Sequence, residues 1–309
     1  MEKDILKKRW EKIDQEIKKF NGKFNYDIKQ RIRRVLKELG INNSNLFSYL
    51  DSNDLAMFRA ELQDNLSDDM SDYLKYRINK MLTRSKVKYN EALELLIEIA
   101  YYNTIKRAEK SQDELFNAVC IITSEMVQKE SYGIKKHIKP FHLIPLPNYL
   151  LPHIMSTPLY LGYNWLEYQQ NMIQYNANKM YRYIIVDIQQ NRLDINLTRY
   201  DNTFRLERKR YLTALDNEVA SICSQVSLWG MEKQGIKKVQ YVAVLDEKTT
   251  NICQSMHGQI FNVNDWNTYY RYENNDDIKT SKYTTFGLQI GENQPALHYN
   301  CRSVLIPYK

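Results

Sequence analysis

Apolar side chains recur every three to four positions through the first third of the chain, the spacing that gathers them on one face of a helix. Leu6, Trp10, Ile13, Ile17 and Phe20 form one such seam, predicted to end at Asn21-Gly22. Ile28, Ile32, Val35 and Leu39 form a second, stopped by Gly40, because glycine tolerates the left-handed conformation at a helix end. Asp51-Ser52-Asn53-Asp54 offers side-chain oxygens to cap a helix carrying Leu55, Phe58, Leu62 and Leu66. Further stripes run through 70–82 and 86–108. Ser111 and Glu114 have the Ser-x-x-Glu spacing of a capping box, which predicts a new helix from there to about 130.

The pattern breaks at Pro140, Pro145, Pro147, Pro152 and Pro158, five of the seven prolines. Proline lacks a backbone donor, so the segment 140–158 is expected to be an extended apolar connection, packed on its own domain or docked on a partner. Helical spacing resumes at 159–180, and 183–188 fits either a short buried strand or more of that helix. Another helix is expected over 204–232. Beyond Gly235 the period drops to two: Val239, Tyr241, Ala243 and Leu245 alternate with Gln240, Val242 and Val244, a strand closing in a turn at Asp246-Glu247. The Tyr-rich piece at 269–283 reads as a polar surface loop. The expected fold is α+β and predominantly α-helical. A helical N-terminal region (1–139) and the connection (140–158) precede a C-terminal domain (159–309) with helices and a small antiparallel sheet.

Composition adds two constraints. Only 9 Gly and 7 Pro in 309 residues argue against an all-β fold with its many turns and against long disorder. The opening residues have no apolar signal core, and no run of about 18 apolar residues suggests a membrane span. The net charge of +7 is concentrated at the front: residues 1–40 hold 13 basic and 7 acidic side chains. Lys7, Lys8, Arg9, Lys12, Lys18, Lys19 and Lys23 lie near the first helix, and Arg31, Arg33 and Arg34 near the second. Such a front can neutralise DNA phosphates. Glu11, Asp14 and Glu16 among them equally fit a solvated face of intrahelical ion pairs.

Candidate chemistry gathers in the last seventy residues. Asp246 and Thr249 can satisfy turn amides. Cys253, His257, His298 and Cys301 offer two thiols and two imidazoles, a tetrahedral donor set suited to zinc. The same cysteines also fit a disulfide or buried thiols, with His298 a hydrogen-bonded structural histidine. Cys120 and Cys223 sit in helical apolar patterns and read as small buried hydrophobes.

Asp246-x-x-Thr249-x3-Cys253-x4-Gly258, followed by Pro295-x-x-His298-x-x-Cys301-Arg302, resembles the signature of the phage Mu F-like minor head proteins. The preceding helix, with Arg208, Arg210 and Glu218 before Gly235, fits the same pattern, and the resemblance covers roughly 160–309. It implies a few-copy head component that associates with the portal, aids head assembly and in some members enters the cell with the DNA. Many members carry additional cysteines where this chain has Thr250 and Ser303. Both are missing together here, which suggests that they pair in the members that have them.

The resemblance therefore implies a non-enzymatic protein of the virion interior near the portal, made in the host cytoplasm. The implied partners are the portal protein, double-stranded DNA and capsid or scaffolding protein. One alternative is a DNA-binding protein with a zinc-stabilised C-terminal domain. Another is a hydrolase or nuclease using Cys301 as nucleophile and His298 as base. No phosphate-cradling loop, His-Glu-x-x-His or paired-carboxylate motif supports the enzymatic alternative.

Overall fold

The structure is a computed structural model that describes residues 2–24, 26–134, 147–156, 163–194, 196–245, 249–263 and 303–308. Among them the fold is α+β and mostly helical, as the apolar spacing predicts. The helices are α1 (Glu2–Lys23), α2 (Ile28–Glu38), α3 (Ser52–Asn65), α4 (Asp72–Thr83), α5 (Tyr89–Ile134), α6 (Leu150–Ser156), α7 (Trp165–Gln189), α8 (Asp201–Lys233) and α9 (Asn251–Met256). The strands are β1 (Lys238–Val242), β2 (Ile260–Asn262) and β3 (Val304–Pro307). No helix among the described residues is long and apolar enough to cross a membrane.

The chain divides into two compact units that interleave in sequence. Unit 1 takes residues 1–24, 110–168 and 211–309, and unit 2 takes 25–109 and 169–210.

Unit 2 is helical. Its α2 buries Ile28, Ile32 and Leu36 and leaves Arg34 and Lys37 exposed, with Asp27 accepting from the Gln30 amide. Each such fully buried aliphatic side chain is worth about 1.5–3 kcal/mol. Gly40 takes φ +54 just past the helix, as expected. Asp51 caps α3 by accepting from the amides of Asn53 and Asp54 at 2.9 and 2.8 Å. The N-terminal part of α5 is buried nearly all round, through Leu93, Leu95, Leu96, Ile97 and Ile99.

Unit 1 packs α1, the second part of α5 and most of α8 around Ile13, Phe20, Phe116, Leu215 and Val219. The rings of Phe24 and Tyr211 stack with centroids 4.9 Å apart, and Trp165 sits edge-on to Phe116. The small sheet is antiparallel, in the order β2-β1-β3. Val239 lies opposite Phe261 on one side and Pro307 on the other, and Tyr241 opposite Leu305. Both faces are covered. Val239, Tyr241 and Leu305 pack with Val127 of α5 and Met231 of α8, whereas Val242 and Val304 pack with Trp10 of α1.

Three local expectations change, and the open alternative at 183–188 resolves to helix. Ser111 does not open a helix but lies inside the 46-residue α5. Its polar neighbours serve tertiary contacts: Gln112 accepts from the Tyr211 hydroxyl at 2.9 Å, and Glu114 pairs with Lys23 at 2.7 Å. Residues 183–188 are helical, inside α7. Within the proline-rich segment, 150–156 form α6, where Pro152 stands in the first turn, whose amides have no helical acceptor. The strand stops at Val242, short of Leu245, because the next backbone groups turn to side chains. The Ala243 amide donates to His257 Nδ1, and the Val244 carbonyl accepts from the Thr249 hydroxyl. Most of the remaining proline-rich segment, the turn at 246–247 and the Tyr-rich piece at 269–283 lie outside the described residues.

Candidate functional site

The tail motif is built on the loop between β1 and β2. The Thr250 hydroxyl accepts from the Cys253 amide at 3.4 Å and caps the short α9. That helix turns Cys253 inward, to 2% exposure, among Tyr241, Met256 and Phe261. Its sulfur lies 3.1 Å from the Tyr241 hydroxyl and accepts from the Ser303 hydroxyl at 3.2 Å. Thr250 and Ser303 thus both meet Cys253.

His257 and Gly258 turn the chain into β2. The Ala243 amide donates to His257 Nδ1 at 3.1 Å, which assigns the imidazole proton to Nε2. Gly258 adopts φ +85, where a side chain would cost roughly 1–2 kcal/mol. Its amide donates to the Tyr241 carbonyl at 2.8 Å, while the Tyr241 amide donates to Gln259. The stretch 249–258 is therefore fastened to β1 by side chains and backbone together. Through Ser303 it is also fastened to the start of β3.

Asp246, His298, Cys301 and Arg302 lie outside the described residues. Among the described residues no three His, Cys, Asp or Glu side chains gather as a metal site. His257 fits zinc poorly in this arrangement. A metal on Nε2 would put the imidazole proton on Nδ1, facing the Ala243 N–H donor against donor.

The basic residues of the front divide between the units. In α1, Lys8, Lys12, Lys18, Lys19 and Lys23 are exposed, whereas Arg9 is 1% exposed and does not reach solvent as a surface phosphate contact would require. Lys7 has its backbone in α1, with its side chain outside the description. Lys19 pairs with Glu16 at 2.6 Å and Lys23 with Glu114. In α2, which belongs to unit 2, Arg34 pairs with Glu38 at 2.7 Å, Arg33 donates to the Asn196 carbonyl, and Arg31 is half-buried.

Reading by residue type missed the buried acids of α8. Glu218 is fully buried, and neither of its oxygens has a hydrogen-bond partner among the described residues. Burial pushes its carboxyl up to about 8. Glu207, also fully buried, is pushed up to about 7 by burial, although the Tyr101 hydroxyl donates to it at 2.6 Å. Their signal was present as charged residues at apolar positions of a helical pattern.

Residues 189–306 match the family model described as phage Mu protein F like protein, in agreement with the resemblance read from the tail motif. Neither a curated protein nor a solved structure matches the chain. The matched segment holds all of α8, β1 and β2, β3 up to Ile306, and the Cys253 closure.

Proposed function

We propose that the chain is a non-enzymatic minor head protein of a bacteriophage, associated with the portal and the packaged double-stranded DNA. It acts in head assembly, works from the virion interior near the portal after synthesis in the host cytoplasm, and leaves with the genome on ejection. Capsid or scaffolding protein is the further partner during assembly. The observation that carries this reading is the Cys253–Ser303 closure lying inside the phage Mu F-like segment. A reactive cysteine needs access and a stabilised thiolate. Cys253 instead has a buried sulfur set among hydroxyls and apolar side chains, the environment of a structural thiol. With His257 turned to Ala243, the tail reads as a hydrogen-bonded closure rather than a zinc centre, and stoichiometric zinc in purified protein would contradict that.

Mass spectrometry of purified virions and of DNA-filled heads tests the assignment. The chain is expected in both at few copies per portal ring, and its absence from both would refute the assignment. Pull-down by the portal protein, with and without residues 140–158, tests that segment as the portal contact.

A further inference from the structure

Unit 2 contains a cleft of about 410 Å³ between α2, α3 and α5. Arg31, Arg34, Lys106 and Arg107 line it together with Glu61 and Asp64. Two of the four cations are occupied. Lys106 pairs with Asp69 and Glu109, and Arg34 with Glu38. Arg31 and Arg107 have no carboxylate within ion-pair distance among the described residues, and Arg31 Nη2 is buried without an acceptor. Burial, and then the charge of Arg107, lowers the Arg31 pKa, so the two guanidiniums lie within each other's field.

Asp27 and Glu61 offset that repulsion in part, and burial with the neighbouring cations still leaves the Arg31 pKa lowered. Glu61 Oε1 accepts from Asn65 Nδ2 at 3.1 Å and its Oε2 is 3.9 Å from Arg34, so it braces the wall. Asp64 is exposed. Two arginines without acceptors, facing one concavity, fit the paired oxygens of a phosphate, which guanidinium donors engage bidentately. The two acids limit the cleft to one such group. On the other side of Arg34 a second groove carries Arg33 and Lys37, continuing the basic side of α2.

We propose that the α2–α5 cleft of unit 2 seats one phosphate of a nucleic-acid backbone, held by Arg31 and Arg107. This rests on the reading of the chain as a component of a DNA-filled head. The seat supplies affinity without base selection, since contacts to phosphate carry no sequence information.

Binding of a short DNA duplex to the full chain, followed by fluorescence anisotropy across a salt series, tests the seat. For Arg107→Gln, whose side chain is exposed and does not support the fold, the slope of log affinity against log salt should fall by about 0.9, one phosphate contact. Arg31→Gln should match it, and Lys233→Gln, which removes an exposed cation outside the cleft, should leave the slope unchanged. A wild-type slope in Arg107→Gln, or no duplex binding at low salt, overturns the proposal. In a second arm, inorganic phosphate is titrated at constant ionic strength. An Arg107-dependent rise in melting temperature without duplex binding would assign the seat to free phosphate and overturn the nucleic-acid assignment. Virion composition is measured independently. A flat slope with the chain present in virions removes the seat alone, and an Arg107-dependent slope with the chain absent from virions removes the head assignment alone.

Discussion

The hydroxyl of Ser303 donates to the sulfur of Cys253 at 3.2 Å, across fifty residues of sequence. The contact ties the loop after β1 to the start of β3, and both strands flanking β1 are thereby held from the same point.

His257 is expected to act through its acceptor nitrogen. Ala243 is buried, so His257→Ala strands its amide and should cost about 1–3 kcal/mol in urea unfolding. In His257→Asn the amide oxygen can stand in for Nδ1, and most of that loss should be recovered. Equal destabilisation by the two substitutions would show that the imidazole matters for something other than this bond.

Glu218 should make the protein less stable as pH rises. The unfolded chain ionises this carboxyl near 4.5, whereas burial in the fold holds the proton until about 8. Between those values the folded state binds more protons, so stability falls with rising pH and levels off above about 8. Glu207, pushed up to about 7 by burial, contributes in the same direction. Denaturant midpoints at pH 5 and pH 8 should therefore converge in Glu218→Gln, by an amount on the order of a few kcal/mol. A wild-type difference retained in the variant would show that Glu218 is not the group responsible.

Gly230 marks the close approach of α8 to α5. A Cβ there would stand 3.2 Å from Cγ1 of Val127, tighter than ordinary contact. Gly230→Val should destabilise by about 1–3 kcal/mol through overpacking, and Val127→Ala should restore part of the loss. Additive losses in the double variant would mean that the two helices do not meet at this point.

Much of this was legible in the sequence, for identifiable reasons. Asp51 and Gly40 act at helix ends through local chemistry, and both behave as their residue types predict. In the α2 stripe Ile28, Ile32 and Leu39 are buried as expected, and only Val35 departs, with Leu36 buried more deeply. Ser111 and Glu114 misled because the same polar spacing that caps a helix can also serve partners far along the chain, here Tyr211 beside Gln112 and Lys23 beside Glu114. Arg9 was read with its basic neighbours, but its position four residues before the fully buried Ile13 puts it on the inward face of α1. That Ser303 meets Cys253 was not legible in the sequence, because it depends on the register of β3 against β1.

The most direct test is a double-mutant cycle on Cys253→Ala and Ser303→Ala, with unfolding free energies measured for all four proteins. Closure through this pair predicts a coupling of about 1 kcal/mol, so that the double variant loses less than the two single losses combined. Strict additivity, with both single variants folded, would mean that the two ends of the tail motif do not meet here, contradicting the account.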